Sequence, residues 1–512
     1  MNNVSYTLAE LMPSLADSKL APLLISGLCQ DSRQVKSGDL FFARNGVSHK
    51  GIDFVCSAAA EGAVAAIVDD AELAAADSID VSIPLIGVAD VASAIGEVAS
   101  RFYGEPSLHL QVIGVTGTNG KTSCAHYVAQ LLSFCGETCG LIGTVGNGLL
   151  GQLQAATHTT PDAIGVHKLL ADFRQQGATA VVMEVSSHAL DQQRISGVHF
   201  VAAGFTNLSR DHLDYHGDMA NYAAAKARLF NDLAIEHQVI NVDDAFGVSL
   251  LAGQTGHQRV GFGESPEADV RATEVQLSAS GIRAHIELPR GSFELDSGII
   301  GRFNLSNLLL TIAITDQLGY SLQQIAQGVG QLSPVAGRMA LVSRETPQVV
   351  IDYAHTPDAL EKALLALRSH CHGQLWCVFG CGGDRDNGKR PQMAKVAERL
   401  AGRIIVTSDN PRMEDPEHII AMIMTGFSDT AAVICQVDRQ QAIEQAIAAL
   451  APDDILLIAG KGHETYQDIQ GVKLPFDDLA VARQALAMKR SVADDESRQT
   501  GVSDNDNAEQ NQ

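Results

Sequence analysis

A glycine-rich segment after an apolar run constrains this 512-residue chain more than any other feature. Residues 114–122 are Gly-Val-Thr-Gly-Thr-Asn-Gly-Lys-Thr, and the ten that follow have apolar side chains at helical spacing. A strand, a glycine-rich turn and a helix in that order form a loop that binds the phosphates of a nucleoside triphosphate. We expect Lys121 to contact phosphate oxygens and Thr122 to contact Mg²⁺. The segment therefore predicts a mononucleotide-binding α/β domain.

The spacing of the glycines refines this prediction. Val115 stands where the usual phosphate loop has a glycine, so we expect Gly117 to shape the turn. The alternative is a glycine-rich turn that contains Lys-Thr by coincidence, and the flanking strand and helix argue against it. The residues predicted to bind the triphosphate are Gly117, Thr118, Asn119, Gly120, Lys121, Thr122 and Ser123.

Composition limits the possible partners. The chain has 36 basic and 60 acidic residues, a net charge of −24, which argues against nucleic acid or an anionic membrane. No apolar run approaches the ~18 residues of a membrane span, and no signal peptide is visible. The nine scattered cysteines favour buried thiols over zinc ligands. We expect a cytoplasmic monomer that acts on small molecules.

Short apolar strands alternate with Ala- and Leu-rich helical segments, which predicts an α/β fold with largely parallel sheets. Turn-forming segments at 104–107 and 333–338 divide the chain. The predicted units are a smaller N-terminal α/β domain (1–105), a central P-loop-type sheet (106–336), a C-terminal Rossmann-like α/β domain (337–490) and a disordered acidic tail (491–512).

Acidic and histidine side chains follow two more apolar strands in the central domain. Glu184 ends the strand 181–184, a position suited to holding Mg²⁺ beside a phosphate loop. Residues 205–217 are Phe-Thr-Asn-Leu-Ser-Arg-Asp-His-Leu-Asp-Tyr-His-Gly. Alone, this second segment is equally consistent with a solvated loop. Next to Glu184 and Lys121, a role at the nucleotide site is favoured.

These motifs carry a family resemblance. The string Thr-Gly-Thr-Asn-Gly-Lys-Thr resembles the nucleotide loop of the Mur ligase and folylpolyglutamate synthetase superfamily, whose members join a carboxylate to an amine with ATP. Glu-Val-Ser-Ser-His at 184–188, with segment 205–217, is similar to the subfamily that adds the third residue of the peptidoglycan stem peptide. The motifs recur from about residue 30 to 465, so the resemblance covers most of the chain.

The resemblance implies a catalytic and metal-binding set. Thr122, Glu184 and His212 correspond to residues around Mg²⁺, and Lys121 to the phosphate-binding lysine. Lys226 corresponds to a lysine that CO₂ converts to a carbamate, which can hold a second Mg²⁺. The catalytic residues are then Lys121, Glu184, His212 and Lys226. Without the resemblance, the spacing around Lys226 predicts an ordinary exposed helix lysine.

Further binding residues follow from the same resemblance. The ATP site gains Asn304, Asn307 and Arg338. From their spacing of three residues alone, the two asparagines mark a helix start and share a face. The UDP-substrate set is Gln30, Ser32, Val47, Ser48, His49, His158, Thr159, Thr160, Ser186, Gln192 and Arg194. The amino-acid set is Arg385, Asp409, Asn410, Pro411, Arg412, Gly460 and Glu464.

The tetrapeptide Asp409-Asn-Pro-Arg412 indicates which amino acid is added. Diaminopimelate carries a carboxylate beside its distal amine, and a guanidinium can bind that carboxylate with two parallel N–H bonds. The resemblance then implies an ATP-dependent amide ligase that adds meso-2,6-diaminopimelate to the D-glutamate γ-carboxylate of UDP-N-acetylmuramoyl-L-Ala-D-Glu through an acyl phosphate. The alternatives are a lysine-adding or folylpolyglutamate-type ligase, and a non-ligase nucleotide switch.

Overall fold

The structure, a computed structural model, has one main β-sheet in each of three consecutive units of the chain. It describes residues 5–503 except 47–48, 75–80, 157, 254–257, 279–280, 336, 344–346 and 369–370. The N-terminal elements are β1 (Tyr6–Thr7), α1 (Leu8–Leu11), β2 (Leu24–Ile25), β3 (Gly27–Cys29), β4 (Asp39–Phe42), α2 (Val55–Glu61), β5 (Ala65–Asp69), α3 (Asp70–Leu73), β6 (Leu85–Val88) and α4 (Val91–Phe102). Strands β3 to β6 form a parallel sheet in chain order.

The central unit is larger. Its elements are β7 (Gln111–Thr116), α5 (Lys121–Phe134), β8 (Cys139–Ile142), β9 (Asn147–Leu149), α6 (Ala163–Gln175), β10 (Ala180–Glu184), α7 (Ser187–Asp191), β11 (Ala202–Phe205), α8 (Leu213–His216), α9 (Met219–Asn231), β12 (His237–Asn241), α10 (Ala245–Ala252), β13 (Gln258–Gly263), β14 (Val270–Ser278), β15 (Gly281–Leu288), β16 (Gly291–Ser297), α11 (Arg302–Gln317) and α12 (Leu322–Val329).

The central sheet places the phosphate-loop strand between two parallel neighbours. The strand order is β16-β15-β14-β13-β12-β11-β7-β10-β8-β9, and β7 pairs in parallel with both β11 and β10. Since β7 precedes both neighbours in the chain, the connections diverge here and leave a crevice at the carboxyl ends of the strands. The residues that follow β7, β10 and β11 therefore meet at one edge.

The C-terminal unit is a second mostly parallel sheet with a hairpin. Its elements are β17 (Ala340–Leu341), β18 (Gln348–Asp352), α13 (Pro357–Arg368), β19 (Leu375–Phe379), α14 (Arg390–Leu400), β20 (Arg403–Val406), α15 (Pro416–Met424), β21 (Val433–Cys435), α16 (Arg439–Ala449), β22 (Ile455–Ala459), β23 (Tyr466–Ile469), β24 (Val472–Pro475) and α17 (Asp478–Ser503). The sheet order is β17-β18-β22-β19-β20-β21, with only the β17–β18 pairing antiparallel.

Buried apolar runs explain these layers. All side chains of β10, β19 and β22 are buried, as expected for parallel strands covered by helices on both faces. Helix α11 is buried on nearly every side and packs on α5. The three sheets lie within the three predicted ranges, although residue 336, the predicted boundary, lies outside the described residues.

The predicted disordered tail (491–512) lies only partly within the described residues. Helix α17 extends to Ser503, and for 504–512, which lie outside the described residues, disorder stays a prediction. Buried thiols are found at Cys29, Cys124, Cys139, Cys377 and Cys381, whereas Cys56 and Cys435 are exposed. In the part of the chain that the structure describes, no helix is long and apolar enough to cross a membrane.

Candidate active site

The phosphate loop connects β7 to α5, as the sequence predicts. Gly117 has φ 144°, and a Cβ there would lie 1.9 Å from Thr206 Oγ1, so only glycine fits. Helix α5 begins at Lys121, whose Nζ donates to the carbonyls of Gly117 (2.8 Å) and Thr118 (2.9 Å). Burial lowers the pKa of Lys121, while the nearby carboxylates of Glu184 and Asp211 act to raise it. The Lys121 ammonium thus lies inside the predicted phosphate loop.

Glu184 lies beside this loop at the end of β10 and is buried. Its carboxylate accepts hydrogen bonds from Thr122 Oγ1 (2.9 Å), the Thr144 backbone N–H (2.8 Å) and Thr144 Oγ1 (3.0 Å). Thr144 was not predicted. Mg²⁺ prefers oxygen ligands and usually takes one or two carboxylates together with substrate phosphates. The adjacent Thr122 and Glu184 oxygens fit that requirement.

Lys226 is buried on α9, so the interpretation as an exposed helix lysine is wrong. Its Nζ donates to Gly117 O at 2.8 Å and lies 4.5 Å from the centre of the Tyr222 ring. Burial and the neighbouring Lys121 charge hold the pKa of Lys226 well below its usual value. The side chain is therefore suited to the neutral amine form, which is the form that can react with CO₂.

His212 lines the same cavity and has a left-handed backbone conformation (φ 55°). Burial lowers its pKa to about 3, although Asp211 acts to raise it. A neutral imidazole can be a metal ligand. Within the described ranges, no group of three or more His, Cys, Asp or Glu residues could hold a metal ion. The predicted metal-binding set is not a group of that type, because it combines the Thr122 hydroxyl and a carbamate on Lys226 with Glu184 and His212.

Asp211, which was not in the predicted set, joins the central and C-terminal units. Burial acts to raise its pKa, but the nearby His355 imidazole and the charges of His212 and Lys389 lower it well below the usual value. Its carboxylate lies 3.7 Å from both His355 Nε2 and Lys389 Nζ. The preceding residue, Arg210, pairs with Asp386 at 3.1 Å. C-terminal side chains thus reach the nucleotide loop region.

The predicted ATP residues outside the loop occupy two further positions. Asn307 Nδ2 donates to Asn304 Oδ1 (2.9 Å) at the start of α11, which confirms that the two share a helix face. Arg338 Nη2 donates to Thr122 Oγ1 (3.0 Å), and its guanidinium stacks on Tyr353 at 4.3 Å. Arg338 therefore links the connection between domains to the phosphate loop.

Two of the predicted amino-acid residues, Asn410 and Glu464, meet at a buried lysine. Lys461 Nζ donates to Asn410 Oδ1 (2.9 Å) and Glu464 Oε2 (3.0 Å), and Asn410 Nδ2 donates to the same Glu464 oxygen (2.8 Å). Arg412 has φ 51° and donates from Nη1 to Gly383 O (2.7 Å). Lys461 was missed, because a lysine inside a glycine-rich turn is usually exposed. The Arg412 guanidinium thus lies on one loop and the Glu464 carboxylate on the neighbouring loop.

The predicted UDP-substrate residues are only partly assembled. Arg194 donates to Gln192 Oε1 and to Thr160 O (2.8 Å), forming one network. Arg44, which was not predicted, donates to Gln192 O (3.1 Å) from the N-terminal unit. Ser32 is buried, Gln30 half-buried, and His49 and His158 are exposed. Val47 and Ser48 lie outside the described residues.

One cavity of about 490 Å³ collects most of these groups. It is lined by the following predicted residues: Thr118, Asn119, Gly120, Lys121, Thr122, Ser123, Thr159, Glu184, Ser186, His212, Lys226, Asn307, Arg338, Arg385, Asp409, Asn410, Arg412, Gly460 and Glu464. Predicted residues that do not line it are Gly117, Gln30, Ser32, His49, His158, Thr160, Gln192, Arg194, Asn304 and Pro411. The cavity therefore joins the phosphate loop to the amino-acid loops.

Comparisons with known proteins match this arrangement. Three family models cover most of the chain: Mur ligase family, catalytic domain at 24–103; Mur ligase middle domain at 115–315; and Mur ligase, glutamate ligase domain at 337–462. The chain belongs to the Mur ligase family. The predicted three-domain α/β fold is confirmed by the family match and by the solved structures of Mur ligases that the chain resembles.

Similar Mur ligases include two bacterial relatives. The UDP-N-acetylmuramoyl-L-alanyl-D-glutamate–2,6-diaminopimelate ligase of Coxiella burnetii is 46% identical, over 94% of this chain and 99% of that one. The ligase of that name from Pseudomonas aeruginosa is 49% identical, over 91% and 96%. A solved structure of a ligase with this name is 36% identical over 95% and 100% of the chains, with a TM-score of 0.69. The folylpolyglutamate synthase of Mycobacterium tuberculosis (17% identical, TM-score 0.62, 77% and 95% covered) shares the fold.

Proposed function

We propose that this Mur ligase is an ATP-dependent amide ligase that joins meso-2,6-diaminopimelate to the D-glutamate γ-carboxylate of UDP-N-acetylmuramoyl-L-Ala-D-Glu. The observation that carries the proposal is that residues of the phosphate loop line the same cavity as Arg412 and Glu464. The names of the bacterial relatives support the same reaction. The product belongs to peptidoglycan precursor synthesis.

The reaction divides into two transfers. An oxygen of the γ-carboxylate attacks the γ-phosphorus of ATP, and the bond to the β–γ bridging oxygen breaks to release ADP and form an acyl phosphate. The diaminopimelate amine then attacks the acyl carbon, loses a proton and displaces phosphate to form the amide. Lys121 stabilises charge on the transferring phosphoryl oxygens.

Thr122 and Glu184 would hold Mg²⁺ with His212 nearby, and the ion would neutralise phosphate charge when bound. Buried Lys226 would serve as a carbamate, since its depressed pKa favours the neutral amine. Arg412 would bind the distal carboxylate of diaminopimelate, and Glu464 the ammonium beside it. Closure of the units around bound substrates would exclude water and protect the acyl phosphate from hydrolysis.

The remaining assignments belong to the same proposal. Gln30, Ser32, Val47, Ser48 and His49 would hold the uridine diphosphate end of the substrate. Thr159, Thr160, Ser186, Gln192 and Arg194 would hold the muramoyl dipeptide, with His158 at the edge. We also infer that the enzyme works as a cytoplasmic monomer.

The test is phosphate release with Mg²⁺-ATP and the UDP-muramoyl dipeptide, with meso-diaminopimelate or L-lysine added in parallel. Release that requires diaminopimelate, with lysine near background, is expected. Equal release with lysine would replace the proposal with a lysine-adding ligase. Release with folate and glutamate instead would favour a folylpolyglutamate-type ligase. Hydrolysis that no amino acid affects would favour a nucleotide switch.

A further inference from the structure

The two loops of the amino-acid site leave strands that are not neighbours. Segment 407–412 follows β20 and segment 460–464 follows β22, and β19 lies between these strands. The loops nevertheless touch: a Cβ on Gly460 would lie 2.3 Å from Asp409 Oδ2. Some part of the fold must therefore fix the spacing between their starting points.

A buried ion pair lies at those starting points. Arg439 is the first residue of α16 and Asp478 the first of α17, and neither side chain has any exposed surface. Arg439 Nε and Nη2 donate to Asp478 Oδ1 (2.8 Å) and Oδ2 (2.7 Å) in a bidentate pair. This pairing fixes the plane of the guanidinium.

The remaining donors of Arg439 reach the backbone of both loops. Nη2 donates to the carbonyl of Ala459 (3.0 Å), the residue directly before Gly460. Nη1 donates to the carbonyl of Ser408 (3.4 Å), the residue directly before Asp409. One rigid, planar group thus joins the backbones of two loops that the sheet alone keeps apart.

Folding alone does not account for this pair. Replacing a buried ion pair with apolar residues of similar volume is often neutral or stabilising. Apolar side chains at positions 439 and 478 could therefore support the fold equally well. An apolar side chain, however, has no N–H group for the two carbonyls. What the arginine supplies beyond packing is a link between the backbones of the two loops, in addition to the side-chain hydrogen bonds of Asn410 with Lys461 and Glu464.

We propose that Arg439, oriented by Asp478, is a positioning residue that sets the spacing between the amino-acid loops and thereby the preference for diaminopimelate. The proposal rests on the proposed function. Arg412 stands on one loop and Glu464 on the other, so a substrate that uses both must span them. A substrate with a distal amine but no carboxylate beside it uses Glu464 alone and tolerates altered spacing.

Three variants separate positioning from stability. Arg439→Lys keeps the charge but loses the planar set of donors, and Asp478→Asn weakens the pairing that orients it. The double variant Arg439→Met/Asp478→Leu removes both charges and is expected to stay folded. The matched control is Asp454→Asn. Asp454 is a buried carboxylate at the opposite end of the same sheet, where it accepts hydrogen bonds from Gln374 N (2.7 Å), Trp376 Nε1 (3.1 Å) and Ala451 N (2.9 Å).

The measurements are KM and kcat for diaminopimelate, L-lysine and ATP, the thermal midpoint, and backbone hydrogen exchange in 407–412 and 460–464. In all three variants, we expect the KM for diaminopimelate to rise about tenfold to a hundredfold. The KM for ATP should stay unchanged, the preference over lysine should fall, and both loops should exchange faster. Asp454→Asn should lower the thermal midpoint without these changes.

Two results would overturn the positioning role: a double variant that folds and keeps the wild-type KM and preference, or a control that alters them equally. If the wild-type protein shows no amino-acid-dependent phosphate release, the proposed function fails. Hydrogen exchange then still decides whether Arg439 joins the loops, since unchanged exchange in the folded variants would refute the link itself.

Discussion

Arg412 provides a quantitative test of amino-acid recognition. Its Nη1 is held by the carbonyl of Gly383 at 2.7 Å, and the guanidinium lies in the wall of the cavity. The substitution Arg412→Lys keeps a positive charge but presents one compact ammonium in place of two parallel N–H groups. A hydrogen bond to a charged group contributes about 1.5–3 kcal/mol, so losing one should cost about 2 kcal/mol.

That cost corresponds to a change of about thirtyfold, since about 1.4 kcal/mol is a factor of ten. We expect kcat/KM for meso-diaminopimelate to fall by about this factor, while kcat/KM for L-lysine changes less than about threefold, because lysine has no distal carboxylate to lose. Coupled phosphate-release kinetics measure both. Arg403→Lys is the control, because Arg403 is exposed at the start of β20 in the same unit. Equal losses for the two amino acids, or no loss for diaminopimelate, would refute the assignment.

Three further predictions follow from single contacts. Thr144→Val should lower kcat about tenfold, because the variant keeps the backbone bond to Glu184 but loses the hydroxyl, and Thr144→Ser should restore most of the activity. Carbon-13 NMR with labelled bicarbonate should show a carbamate signal that Lys226→Arg abolishes; a signal that survives would exclude Lys226 as its site. Burial lowers the pKa of His167, so protonation of this group favours the unfolded chain. The contribution of His167 to the free energy of unfolding is therefore fully present above about pH 6.5. Below that pH it decreases by at most about 1.4 kcal/mol per pH unit. Urea unfolding of His167→Gln should lose that part of the pH dependence, and an unchanged slope would contradict this origin.

Much of the nucleotide site could be predicted because its parts are local in sequence. The strand, turn and helix around Gly117 and Lys121 are consecutive, and parallel strands bring their carboxyl ends to one edge. Glu184 was placed by the same rule. The start of α11, with Asn304 and Asn307 on one face, follows from helical spacing.

The contacts that sequence patterns did not predict join distant segments. Thr144 reaches Glu184 because β8 lies beside β10, and a lone threonine after a strand carries no sign of that pairing. Lys226 has the spacing of a surface lysine but is buried where its ammonium meets the carbonyl of Gly117, 109 residues away. Arg439 resembles any first-turn helix residue until Asp478 is brought beside it. Pairings between separate elements, not local patterns, set these positions.

Polar contacts connect the central and C-terminal units. Near the cavity they include Arg210 with Asp386 at 3.1 Å and Asn119 Nδ2 donating to Asp358 Oδ2 at 2.8 Å. The Arg210 side chain is 40% exposed, so solvent weakens its pairing with the buried Asp386 carboxylate. Each unit has its own apolar core, so both sheets stay intact when the units separate, although Ile300 and Phe303 of the central unit then lose their packing against the C-terminal core. Substrates that contact both units would favour the closed arrangement, and their conversion to product would remove that preference.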